Sequence, residues 1–246
     1  MYLINNVIFP LLFPIRLFIL IVIALFSLFA PKFIFEYFFN KANLIVLLCL
    51  GIYPKNIIDN RYNNIDTKII VFQHRTYADC FIINYIFGPV GYVFRNIFKN
   101  NIIIRHYIER YGGIDVSSNG NEGKTREILK YIDNNNRKLA IAPEDITNIN
   151  TRVIKNNELG IFKSGAFIFK QPIQPVTINF HDKNVIWKNL ENGFEAMIPW
   201  FFKQLIAPLT YIEICLLEEC VCDENMSVIQ YKDDVRNYML EIIENY

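Results

Sequence analysis

From Val7 to Ala30 the chain runs for 24 residues with a single charge, Arg16. About 20 apolar residues are enough to cross a hydrocarbon core about 30 Å thick, so a stretch of this kind is expected in a bilayer or deep inside a core. Pro10 and Pro14 interrupt it and leave Leu17–Phe29 unbroken. Proline lacks the backbone donor that a helix interior needs, so a kinked helix or re-entrant hairpin is expected in place of a straight span. Leu44–Tyr53 is also apolar but short, and Lys32, Glu36 and Lys41 lie between the two runs. No basic segment precedes the first run and no small-residue cleavage site closes it, which argues against a secretory signal. Residues 1–54 are therefore read as a membrane-embedded helical anchor, and residues 55–246 as one further domain.

Beyond the anchor, apolar runs rich in β-formers recur at Lys68–Phe72, Lys138–Ala142, Gln174–Phe180 and Tyr211–Leu217. Between them lie helical patterns. Glu122–Asn134 places Ile128, Leu129 and Ile132 on one face, and Gly193–Leu205 and Val228–Ile243 repeat at the same period. Strands alternating with helices predict an α/β fold, a mostly parallel sheet flanked by helices. The polar stretch Asn148–Asn157 reads as a loop. A net charge of +1 gives no field that would gather nucleic acid. The five cysteines, Cys49, Cys80, Cys215, Cys220 and Cys222, form no metal-ligand framework and are read as free thiols on the cytosolic side of a membrane. Cys80 is read as a packed core thiol and not as a nucleophile.

Chemistry concentrates in His74-Arg-Thr-Tyr-Ala-Asp79. His74 closes the run Lys68–Phe72, a buried strand, and Ala78–Ile86 reads as the start of a helix. A carboxylate at that helix start can hold one ring nitrogen and fix the tautomer, so that the other nitrogen can take a proton from an alcohol. A buried histidine next to a capping aspartate explains the same spacing. Three later segments occur in order: Tyr111-Gly-Gly-Ile-Asp-Val-Ser117, Ile141-Ala-Pro-Glu-Asp-Ile-Thr147, and Ile161-Phe-Lys-Ser-Gly-Ala-Phe167 with Gln171-Pro-Ile-Gln-Pro-Val-Thr177.

Together these blocks resemble the glycerolipid acyltransferase superfamily, and most closely its lysophosphatidylcholine and lysophosphatidylethanolamine acyltransferases. Leu12-Phe-Pro-Ile-Arg-Leu17, Tyr211–Leu217 and Tyr231–Arg236 resemble the same subfamily. The resemblance implies acyl transfer from acyl-CoA, as co-substrate and with no metal or other cofactor, to a lysophospholipid: lysophosphatidylcholine, lysophosphatidylethanolamine or lysophosphatidate. It implies His74 as general base, Asp79 as its partner and Glu144 toward the polar group of the acceptor; Thr147, Arg152 and Lys163 are read beside them as candidates for substrate binding. It also implies a membrane location with the domain on the cytosolic face, at the endoplasmic reticulum in a eukaryotic cell. A CoA-independent transacylase of tafazzin type and a glycerol-phosphate acyltransferase remain as alternatives, and a catalytically silent lipid-binding membrane protein is the alternative of another class.

The chain departs from the family pattern at three positions. Asp145 and Ile146 stand where the third block continues Gly-Thr, and Ser117 stands where the second block carries arginine. The missing cation must then be supplied elsewhere; Arg75, Lys99, Arg105, Arg110 and Arg152 are the candidates.

Overall fold

Ile69–Phe72 forms strand β2, and none of its four residues reaches solvent appreciably. Ile70 and Phe72 pack on one side, and Ile69 and Val71 on the other. A strand covered on both faces can be apolar at every position, which is why it appears in the sequence as an unbroken run. In the computed structural model, which describes residues 9–59, 67–94, 102–115, 127–128, 130–132, 137–144, 159–181 and 193–245, β2 lies at the centre of a seven-stranded sheet.

The elements in chain order are α1 (Phe13–Phe29), α2 (Lys32–Cys49), β1 (Ile52–Asp59), β2, α3 (Asp79–Phe87), β3 (Gly91–Phe94), α4 (Ile102–Tyr111), β4 (Gly113–Asp115), β5 (Leu139–Ile141), β6 (Ile173–Phe180), α5 (Gly193–Ile206), β7 (Thr210–Leu216) and α6 (Val228–Glu244). The sheet order is β1-β7-β6-β2-β5-β3-β4. Every neighbouring pair is parallel except β6 with β7. This is an α/β fold with a mostly parallel sheet flanked by helices.

One face of the sheet buries Leu47, Ile82, Ile83 and Leu205 from the helices, and Leu50 just past α2, against Ile70, Val176, Ile178 and Ile214. On the other face, Tyr231, Val235 and Met239 of α6 pack with Phe162 and Phe167 onto Leu139, Ile141 and Ile173. Ser227 caps α6 by accepting a hydrogen bond from the Gln230 N–H, satisfying one of the donors that a helix start leaves open.

The N-terminal run forms α1 and α2. Arg16 is buried, and its Nη1 donates to the carbonyls of Leu205 (3.1 Å) and Ala207 (2.7 Å), where α5 ends and its carbonyls lack helical partners. At the other end of α1, Arg110 of α4 donates to the carbonyls of Ser27 (2.7 Å) and Ala30 (2.5 Å). Two arginines thus fasten the helix to the α/β body. The boundary expected at residue 54 falls inside β1, and Val46, Leu47, Leu50 and Ile52 belong to the main core. Among the described residues no helix is long and apolar enough to cross a membrane; the 17 residues of α1 extend about 25 Å. The outward side of α1 is nonetheless apolar throughout, with Ile15, Phe18, Ile21, Val22, Leu25, Phe26 and Phe29 exposed.

Candidate active site

Parallel register brings the residues of interest together. Val71 of β2 pairs with Ile141 of β5 on one side and with Pro175 of β6 on the other. Three residues beyond the paired positions, His74 and Glu144 leave the sheet side by side at the carboxyl edge, where parallel α/β sheets bind ligands.

The chain after β2 turns sharply into α3, and Asp79, the first residue of that helix, holds the turn. Its Oδ2 accepts hydrogen bonds from the backbone N–H groups of Arg75 (2.7 Å) and Thr76 (3.0 Å), and lies 2.8 Å from His74 Nδ1. The Asp79 side chain is fully buried, whereas the His74 side chain keeps 22% of its surface open. With a proton on Nδ1 shared with the carboxylate, the acceptor lone pair of the ring lies on Nε2. Such an arrangement can accept a proton from a hydroxyl and return it to a leaving group.

Glu144 is only 4% exposed. Its Oε2 accepts from the His74 backbone N–H (2.9 Å) and from Arg75 Nη1 (2.6 Å), and its Oε1 accepts from the Gly160 N–H (2.9 Å). The resemblance implied an acceptor contact for this carboxylate, but both oxygens are engaged within the protein. Gly160 is fixed in turn from α6, where Arg236 Nε donates to the Gly160 carbonyl (2.9 Å) and Nη2 to that of Leu159 (2.8 Å). Phe162 forms an isolated β-bridge with Glu144, and the Lys163 N–H donates to the Pro143 carbonyl at 2.7 Å. The Lys163 backbone therefore runs beside the end of β5, and the residue is exposed.

Of the cations considered as replacements for the missing arginine, Arg75 is bound to Glu144 and Arg110 to the end of α1. Among the described residues, Arg105 makes a loose surface pair with Glu109, at 3.8 Å. Lys99, Ser117, Asp145, Ile146, Thr147, Arg152 and the loop 148–157 lie outside the described residues.

Sequence reasoning missed the aromatic wall beside the turn. Tyr77 packs edge-on against Trp200 of α5, with ring centroids 5.4 Å apart, and burial raises the Tyr77 hydroxyl above its ordinary range. The contact spans more than 100 residues of chain, and neither aromatic stands out locally. Cys80 lies at the surface and not in the packed core expected of it.

Residues 58–179 match the model of the acyltransferase family. No curated protein matches the sequence. Among solved structures, the crystal structure of the 1-acyl-sn-glycerophosphate (LPA) acyltransferase PlsC from Thermotoga maritima is similar, with a TM-score of 0.60 and 13% identity over 96% of each chain. At that identity the likeness establishes the fold.

Proposed function

We propose that this chain, whose residues 58–179 match the acyltransferase family, transfers the acyl group of acyl-CoA to the free hydroxyl of a lysophospholipid, with His74 as general base. The observation that carries this reading is the buried Asp79 carboxylate 2.8 Å from Nδ1 of a partly open imidazole at the carboxyl edge of the sheet. In the proposed reaction the lysolipid oxygen attacks the thioester carbonyl while its proton passes to His74 Nε2. The tetrahedral intermediate expels CoA thiolate, which takes the proton back, leaving diacyl phospholipid and free CoA. A thioester already carries a good leaving group, so no covalent enzyme intermediate is needed, and no metal or redox cofactor enters the scheme.

A lipid substrate suits the surroundings of the turn. Trp200, against which Tyr77 packs, belongs to a helix whose outer side exposes Ile198, Phe202 and Ile206. Phe202 in turn meets Phe13 of α1 at 6.2 Å, so this apolar strip adjoins the exposed face of α1. We take that combined surface to rest on a membrane, at its cytosolic side. Removing residues 1–54 would strip Ile52 and Leu47 from the core, so a cleaner test adds charge to the outer face alone. Phe18→Asp, Leu25→Asp and Phe29→Asp together are expected to weaken vesicle binding at least about a hundredfold, from the apolar area withdrawn, while the unfolding temperature stays near that of the wild type. Vesicle flotation that is unchanged by the triple substitution would remove the membrane face from this reading.

Choline or ethanolamine head groups are favoured over lysophosphatidate, on the Phe162-Lys163 segment. The Leu12–Arg16 segment adds less, because Arg16 is occupied in capping α5. Lys163 is proposed to meet the acceptor phosphate as a point charge. Lys163→Ala is expected to raise the lysolipid KM by about tenfold or more, the equivalent of about 1.5–3 kcal/mol for a charge-assisted contact, with a smaller change for monoacylglycerol. Equal changes for both acceptors would assign Lys163 to packing or to the CoA donor. Purified protein in micelles, given labelled acyl-CoA and a panel of lysolipids, tests the reading as a whole. Acylation that needs a diacyl donor in place of acyl-CoA would identify a transacylase, acylation of glycerol phosphate alone would move the acceptor class, and no acylation with any pair would leave lipid binding.

A further inference from the structure

The backbone N–H groups of His74, Arg75 and Thr76 are all held by carboxylates, the first by Glu144 and the next two by Asp79. Glu144 adds a second hold on the same turn through Arg75, whose guanidinium lies 2.6 Å from Oε2 with both side chains withdrawn from solvent. Its other oxygen ties the turn to Gly160, and through Arg236 to α6. We infer that Glu144 is a positioning residue for His74, which fixes the imidazole through the backbone of the turn and makes no contact with the acceptor. The inference rests on reading His74 as the base.

The physical argument is the number of donors that Glu144 already serves. A carboxylate with two backbone N–H groups and a guanidinium on its two oxygens has three directional partners, two from the His74 turn and one from Gly160. Turning it toward an acceptor would leave the buried Arg75 without its counter-ion and two backbone donors unsatisfied. Retaining those contacts instead sets where the peptide of His74 lies, and the ring follows the peptide. Misplacing a catalytic group by about 1 Å can cost about a hundredfold in rate.

Two variants test this. Glu144→Asp keeps the charge opposite Arg75 but draws the carboxylate back by one methylene. Glu144→Gln combined with Arg75→Met removes both buried charges together, so that neither is stranded if the single neutral variant fails to fold. In whichever of these remains folded, kcat is expected to fall about tenfold to a hundredfold, while KM stays within about threefold for phosphorylated and neutral acceptors alike. The ring nitrogen resonances of His74, one of three histidines, are expected to shift in the substrate-free protein. A preserved kcat with an acceptor KM raised tenfold for phosphorylated lysolipids only would place Glu144 on the acceptor and overturn the inference. So would unchanged ring resonances in a folded variant. If the wild type acylates no lysolipid at all, the reaction assigned above fails, and the resonances still decide what Glu144 does to His74.

Discussion

His74→Ala is expected to lower kcat by about 10²–10⁴-fold, the usual loss when a positioned general base is removed. The fold should persist. The His74 ring pairs with Asp79 and lies edge-on to Phe72, centroids 6.4 Å apart, and among the described residues the apolar clusters on both sheet faces are built from other side chains. The backbone bond from the His74 N–H to Glu144 does not depend on the side chain. Circular dichroism and the unfolding midpoint should therefore match the wild type, and partition to vesicles should be unaltered. Loss of turnover with a lowered midpoint would mean that the ring is structural, the bland explanation that the spacing alone permits.

Asp79→Asn should be nearly as severe in rate, by about 10²–10⁴-fold, and also costly in stability. A single carboxylate oxygen serves Nδ1 of His74 and the N–H groups of Arg75 and Thr76. An asparagine that keeps its oxygen in that place loses the charge shared by all three donors. One that turns its NH₂ toward them sets donor against donor and supports the wrong ring tautomer. The turn is buried, so a cost of about 1–3 kcal/mol from unsatisfied donors is expected, together with lost favourable charge at the start of α3. Thermal unfolding and steady-state kinetics on the same preparation check both. Full activity with a lowered midpoint would restrict Asp79 to capping the helix.

The sequence exposed some of this arrangement and concealed the rest, for physical reasons. Ile69–Phe72 and Leu139–Ile141 are covered on both sides and stand out as apolar runs, while Ile173–Phe180 and Thr210–Leu216 show as stretches rich in β-formers although Gln174, Thr177 and Glu213 interrupt them. β1 does not stand out, because it is an edge strand. It carries Pro54, Lys55 and Asn56, has most of its residues exposed, and shifts register between Pro54 and Asn56. Proline is tolerated at such an edge because a ladder donor is dispensable there. β3 and β4, four and three residues long, each open on a glycine, Gly91 and Gly113, so neither continues as an apolar run. Nothing local announces that β7 runs against β6, since direction is fixed by how the chain returns through α5 and not by the residues of the strand.

The site shows the same division. His74, Asp79 and the strand-end place of Glu144 follow from short motifs and the rule that parallel strands present their carboxyl ends to a common edge. The partners do not follow. Arg16 reads as the lone charge of a membrane segment, and its function as a cap on α5 depends on a contact 189 residues away. Gly160 and Arg236 reach the His74 turn only through the folded chain.

The most direct measurement pairs wild-type and His74→Ala protein at equal membrane loading, with labelled lysophospholipid and acyl-CoA, and counts CoA thiol released against diacyl product formed. The account predicts one thiol for each diacyl molecule in the wild type, and loss of both together, by about a hundredfold or more, in the variant. A variant that retains more than about a third of wild-type turnover, against the far larger loss expected of a general base, or a wild type that forms diacyl product without releasing CoA, would contradict it.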